Sequence, residues 1–255
     1  MRRAMRAEWA KTWSDPGTGW LLGALVALSV TVGAVAIGRA RCPAAGCGQD
    51  PARISLTGVY LGQAVAALAG VAAIGGEYST GMIRISLTAV PRRGRLLAAK
   101  AAVLAGPVLA ASTLTAGVSM LAGRLVLPGH GFTGAHGFDL AGGAMWRAAG
   151  SAALYLMLVA VLSLGVTTVV RDSPAAIGIA LGLIYVFPVV TGLISNPAIQ
   201  RRLQQAGPMS AGLDSMATTG LRPLPLTPWQ GLAVVALWAA AALLLGGVML
   251  RLHDA

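Results

Sequence analysis

Six apolar runs of about twenty residues occur along this chain, each long enough to cross a hydrocarbon core roughly 30 Å thick as a helix. They fall at about 19–38, 54–75, 96–127, 146–170, 175–195 and 229–252. Only 11% of the residues are charged, against roughly 25% in a soluble globular domain. The runs predict an all-α, polytopic membrane protein in which residues 1–255 form one transmembrane domain. The formal net charge of +11 has two readings. Nucleic-acid binding would set a basic stripe among aromatics, and none is present. Basic residues flanking spans, by contrast, fix orientation and meet anionic membrane lipid. The expected partners therefore include lipid and exclude nucleic acid.

Between the second and third runs lies EYSTGMIRISLTAVPRRGRLLAAK, Glu77 to Lys100, which carries five of the nineteen Lys and Arg residues and cannot cross a membrane. On a helix, Tyr78, Met82, Ile85 and Ala89 line one face, with Glu77, Thr80, Arg84 and Thr88 on another. This pattern predicts a helix lying at a surface and ended by Pro91, with Arg92, Arg93 and Arg95 in the turn that follows. The N-terminal residues 1–18 are also amphipathic, with Arg2, Arg3, Arg6 and Lys11 opposite Trp9 and Trp13. Tryptophan and arginine together favour the headgroup region, so a second interfacial helix is expected there, stopping at Asp15-Pro16-Gly17.

The first run is too long for a cleaved signal and is followed by Arg39 and Arg41, so it reads as an uncleaved anchor. Cys42 and Cys47, the two cysteines, sit in the first outer loop. An oxidising exterior would permit a small disulfide there, and two free thiols fit equally well; two thiols alone make a poor zinc site. In the second run Gly58, Gly62, Ala66 and Gly70 recur every four residues and form a groove for close helix packing. Gln63, inside that run, needs a hydrogen-bond partner. Pro107 predicts a bend in the third run, along which Ser112, Thr113, Thr115 and Ser119 set hydroxyls that can bond their own backbone. His130 and His136 in the following glycine-rich loop read as solvated loop residues rather than metal ligands. The fifth run contains Pro188. Asn196-Pro197 then signals an N-cap and first turn of a short amphipathic outer helix, with 207–226 as loop and Thr227-Pro228-Trp229 starting the last span.

An even number of spans sets residues 1–18, 76–95, 171–174 and the tail on one side, together with eleven of the nineteen basic residues and leaving eight opposite. That bias, strongest in short connections, predicts both termini in the cytoplasm. The chain contains no phosphate-binding G-x-x-x-x-G-K-[ST] loop, no H-E-x-x-H, no G-x-S-x-G and no pair of carboxylates within one run. It is therefore not expected to be an enzyme, to bind a metal or to hold a cofactor, and any work it performs must be supplied by a partner. The contrary reading is a non-transporting anchor or sensor subunit, or a membrane enzyme whose only span-mouth acids would be Asp139 and Asp172.

Three places, RAEWAKTW (Arg6 to Trp13), GEYSTGMIRISLTAVPRRGRLLAAK (Gly76 to Lys100) and the end from LTPWQG (at Leu226) through Trp238 to LRLHDA, resemble the permease subunits of type-2 ABC transporters in their actinobacterial form. The tail departs from the usual basic pair, having Leu252-His253. The resemblance implies an export-type permease of six spans in a bacterial plasma membrane. It implies dimerisation with an identical or different permease subunit, and two cytoplasmic ATPase subunits that bind the ATP and magnesium. It also implies a docking surface built from the N-terminal interfacial helix with Arg6, Trp9 and Trp13, and from a coupling helix between spans two and three. There Glu77, Tyr78, Met82, Arg84 and Arg92 would face or support the ATPase. The substrate would be a drug, peptide, lipid or glycan.

Overall fold

The computed structural model describes residues 5, 8–11, 16–42, 49–82, 93–132, 143–218 and 225–252, and these are predominantly helical with no strand among them. Six of the helical stretches are long and apolar enough to cross a membrane. In chain order the helices are α1 (Pro16–Arg39), α2 (Pro51–Ser55), α3 (Val59–Ser79), α4 (Arg93–Val126), α5 (Gly143–Val170), α6 (Ser173–Leu181), α7 (Phe187–Gly192), α8 (Pro197–Ala206), α9 (Pro208–Asp214) and α10 (Pro228–Leu252). A π-helical turn, Gly182–Val186, joins α6 to α7 into the fifth span, and a 3-10 turn, Leu127–His130, ends the third.

Helix α5 is the hub. It packs on α3, α4, α6 and α10, and Tyr155, Leu156, Val159, Ala160 and Leu164 are fully or almost fully buried along it. In lipid there is no hydrophobic gain from pairing two apolar helices, so close backbone approach and satisfied polar groups must hold them together. The small residues of α3 lie at such approaches. A Cβ on Gly58 would stand 1.7 Å from the Ser29 carbonyl oxygen of α1, and one on Gly62 would stand 2.4 Å from Ser29 Oγ. Ala66 is fully buried, and a Cβ on Gly70 would stand 2.1 Å from the Ala160 carbonyl oxygen of α5. One stripe thus seats two neighbours. Gln63, also on α3, accepts a hydrogen bond from the Tyr155 hydroxyl. Ser163, Thr167 and Thr168 of α5 return their hydroxyls to backbone carbonyls one turn back, as do Thr113 and Thr115 of α4. The Ser112 hydroxyl is buried without a partner among the described residues.

The helix ends follow the chemistry of their caps. Asp50, Asp172 and Asn196 each accept from the first free N–H groups of the helix they open, with proline in its first turn. Asp172 is thereby occupied as a cap rather than free at a span mouth; Asp139 lies outside the described residues. Pro107 sits within α4, which remains helical on both sides of it, and Pro188 lies just beyond the widened π turn. A proline withholds one backbone donor, and a local change of winding is one way a helix absorbs that loss.

Three boundaries differ from those the sequence predicts. The second apolar run is two helices, because the chain turns at Leu56–Gly58 to lay Gly58 against Ser29. Residues 208–214 are helix, not loop. The largest correction concerns Glu77 and Tyr78, which form the last turn of span two rather than the start of a separate surface helix.

Candidate functional site

Four charged side chains meet where α1 begins, α3 ends and α4 begins. Glu8 and Lys11 come from the helical residues 8–11, one turn apart; Glu77 lies in the last turn of α3, and Lys100 two turns into α4. The Lys100 ammonium donates to Glu77 Oε1 at 2.6 Å and to Glu8 Oε2 at 2.8 Å, and Lys11 donates to the same Glu77 Oε1. Side-chain exposure is 2% for Lys100, 4% for Glu77, 14% for Glu8 and 45% for Lys11. Two positive charges are therefore balanced by two negative ones, as burial demands, since an unpaired charge taken out of water costs several kcal/mol. The balance leaves one polar atom over. Glu77 Oε2 is buried and has no donor among the described residues.

The cluster stands at the mouth of a cavity of about 230 Å³ between α1, α3 and α4. Leu21 and Leu22 of α1, Ala69, Ala72 and Ala73 of α3, and Val103, Leu104 and Val108 of α4 form its apolar walls. Pro107 is part of the same wall and cannot donate the helical hydrogen bond to the Val103 carbonyl. Polar groups gather at one end only: Glu8, Lys11, Thr18, Glu77, Thr80 and Lys100.

Beside the cluster two arginines hold the end of the last span. Arg93 donates to the Leu250 carbonyl, and Arg171 donates to the Met249 carbonyl at 2.9 Å. Carbonyls in the last turn of a helix lack intrahelical donors, and cations there also complement the helix dipole. Arg171 reaches this position from a left-handed backbone, φ 62°, which tightens the turn between α5 and α6.

The residues expected to dock a partner divide into three groups. Glu77 is turned inward to Lys11 and Lys100, and Tyr78 is half-buried with its hydroxyl 3.4 Å from the Thr168 carbonyl of α5. Met82 and Trp9 are exposed at the same end of the bundle, beyond a left-handed glycine turn at Gly81 in the case of Met82. Arg6, Trp13, Arg84 and Arg92 lie outside the described residues.

At the opposite end Cys42 is disulfide-bonded, and Cys47 lies outside the described residues. The backbone N–H of Cys42 donates to the His130 carbonyl at 3.0 Å, and Arg41 donates to His130 Nδ1 at 2.9 Å. His130 is thus engaged in loop packing, and His136 lies outside the described residues. No group of three or more metal-ligating side chains occurs among the described residues.

The sequence alone does not bring these four residues together: Glu77 and Lys100 read as the two ends of one basic segment between spans two and three, and Lys11 as part of a separate interfacial helix. The signal was a lone acid ending one apolar run and a lone base near the start of the next, both at one membrane level, where each must find a counter-charge or reach water. No protein-family model matches this chain, and no curated protein matches its sequence.

Proposed function

We propose that this chain is the permease subunit of a type-2 ABC exporter, moving a drug, peptide, lipid or glycan across a bacterial plasma membrane with ATP hydrolysed by a separate subunit. Both termini face the cytoplasm in this reading, two permease subunits pair, and two ATPase subunits dock at the terminal end. The observation that carries it is the joining of two distant segments. Glu8 and Lys11 tie the N-terminal helical residues to the end of α3 and the beginning of α4 through Glu77 and Lys100. Force applied at either segment reaches the spanning helices through buried ion pairs instead of dissipating in the headgroup layer.

This arrangement changes the roles of the docking residues. Glu77 transmits and does not touch the ATPase, because its side chain is buried and bonded through Oε1 to the two lysines. Tyr78 supports it from α5, and Met82, with Arg84 and Arg92, supplies the contact surface. The apolar stripe of α3 then carries the displacement to α1 and α5, the helices it touches most closely.

The test is co-purification from the native host. The tagged wild-type chain should bring down an ATP-hydrolysing subunit in gentle detergent, and the variant Met82→Asp with Arg84→Glu should lose it while remaining monodisperse. Recovery of the same subunit with the double variant would remove docking through this segment. A wild-type chain that brings down no ATPase would overturn the permease reading in favour of an anchor, sensor or membrane enzyme.

A further inference from the structure

We propose that the cavity between α1, α3 and α4 binds a single-chain amphiphile carrying a protonated amine, whose N–H group is received by Glu77 Oε2. The inference is independent of ATP-driven transport and rests on the cavity alone.

Its walls and its mouth differ in chemistry. Leu21, Leu22, Ala73 and Leu104 give an apolar lining, whereas the ionised groups lie together at the terminal end. A ligand that fits such a gradient has one polar end and one apolar end. The volume, about 230 Å³, is below the roughly 300–1,000 Å³ of sites for drug-sized molecules, so one alkyl chain fits better than a fused ring system or a pair of acyl chains.

The sign of the headgroup follows from what remains unsatisfied. Glu77 Oε2 is buried without a donor among the described residues, and a carboxylate oxygen in that state gains most from a charged N–H. An anionic head would instead have to draw Lys11 or Lys100 away from carboxylates they already neutralise. A quaternary ammonium has the charge but no hydrogen to donate. There is space for the head, since a Cβ built on Gly76, which lines the mouth, meets no atom within 4 Å. Lys11 and Lys100 both donate to Glu77 Oε1, so an incoming ammonium reaches Oε2 without taking either lysine's acceptor.

The experiment uses the full chain in nanodiscs of phosphatidylcholine, whose own headgroup has no N–H, titrated with dodecylamine at neutral pH and read by calorimetry and native mass spectrometry. One dodecylamine per chain is expected, with dodecanol and dodecyltrimethylammonium weaker by roughly ten-fold or more, the discrimination of one charge-assisted hydrogen bond. Glu77→Gln should remove that preference. Because Glu77 also holds the ion cluster, Gly76→Leu provides the second variant: it narrows the mouth without touching the charges and should weaken dodecylamine binding with unchanged helicity and elution. Equal affinity for dodecylamine and dodecanol, or full binding to Gly76→Leu, would overturn the proposal. Lysophosphatidylethanolamine, which has one acyl chain, added to the nanodiscs separates the two sources of such an amine. One-for-one displacement of dodecylamine makes a lipid ammonium the natural occupant, and unchanged titration makes it a free alkylamine.

Discussion

The two ends of the bundle are fastened by different chemistry. At the terminal end, beside the backbone bonds of Arg93 and Arg171, charged side chains bind other charged side chains: Lys100 reaches Glu8 and Glu77, and Lys11 reaches Glu77. At the opposite end, charged side chains mostly bind backbone. Asp50 caps α2 through Ala52 N at 2.9 Å and also receives the N–H and hydroxyl of Thr218 at 2.5 and 2.6 Å. Arg147, near the start of α5, donates to the Ser215 and Ala217 carbonyls at 2.9 and 2.5 Å. An ion pair at that end joins Arg53 to Asp214 at 2.8 Å, where burial raises the Asp214 carboxyl's pKa and Arg53 opposes the rise. Bonds to backbone define a single placement of the chain, since a carbonyl or amide cannot turn independently. Ion pairs between long side chains allow exchange of partners with little backbone change. The difference predicts slower hydrogen exchange at the α8–α9 end and more readily exchanged contacts at the end that also contains the cavity.

The strongest way to break this comparison is to remove one member of the charge cluster. Lys100→Met leaves Glu8 and Glu77 with Lys11 alone, and should lower stability by about 3–5 kcal/mol, the cost of an uncompensated buried charge. Unfolding in detergent micelles measures it. Adding Glu77→Gln to Lys100→Met should recover part of that loss, because the double change removes a charge of each sign. A single variant as stable as wild type would mean that the cluster is hydrated and does not fasten the helices.

Asp50→Ala tests the opposite end and should have a smaller effect, about 1–3 kcal/mol, from three lost acceptor contacts that leave buried donors behind. The comparison is sharpened by where the loss appears. Hydrogen exchange should rise in residues 208–218 and in α2 for Asp50→Ala, but in α3 and α4 for Lys100→Met. A uniform rise in both variants would show that the two ends do not unfold separately.

Much of the fold was legible in the sequence because lipid imposes a simple rule, that every spanning segment must satisfy its own backbone within about twenty apolar residues. The six spans follow from that rule, and so does the Asn196-Pro197 start of α8. What hydropathy does not contain is depth. Glu77 and Tyr78 look like the start of a surface helix because a carboxylate reads as an ending, yet a counter-charge from Lys100 allows α3 to carry its acid to the end of the span. The break at Leu56–Gly58 was hidden for a similar reason: its cause is Ser29 on another helix, not a local proline. The candidate site was the least legible part, since its four side chains are brought together from positions 8, 11, 77 and 100 by helix packing alone.

Arg171 combines both modes of fastening and gives the finest test of them. It belongs to the terminal end, yet it bonds to backbone, the Met249 carbonyl, and does so from a left-handed conformation that costs a non-glycine residue roughly 1–2 kcal/mol. Arg171→Ala keeps the strained backbone and loses the bond, so it should destabilise by about 0.5–1.5 kcal/mol, the net worth of one hydrogen bond. Arg171→Gly loses the same bond but relieves the strain, so it should unfold close to wild type and above the alanine variant. Equal midpoints for the two variants would show that the turn between α5 and α6 is not strained and that Arg171 is held there by its contact with the end of α10. The opposite order, glycine below alanine, would mean that the entropy glycine adds to the unfolded chain exceeds the strain it removes, and that the left-handed turn contributes little to how this end is fastened.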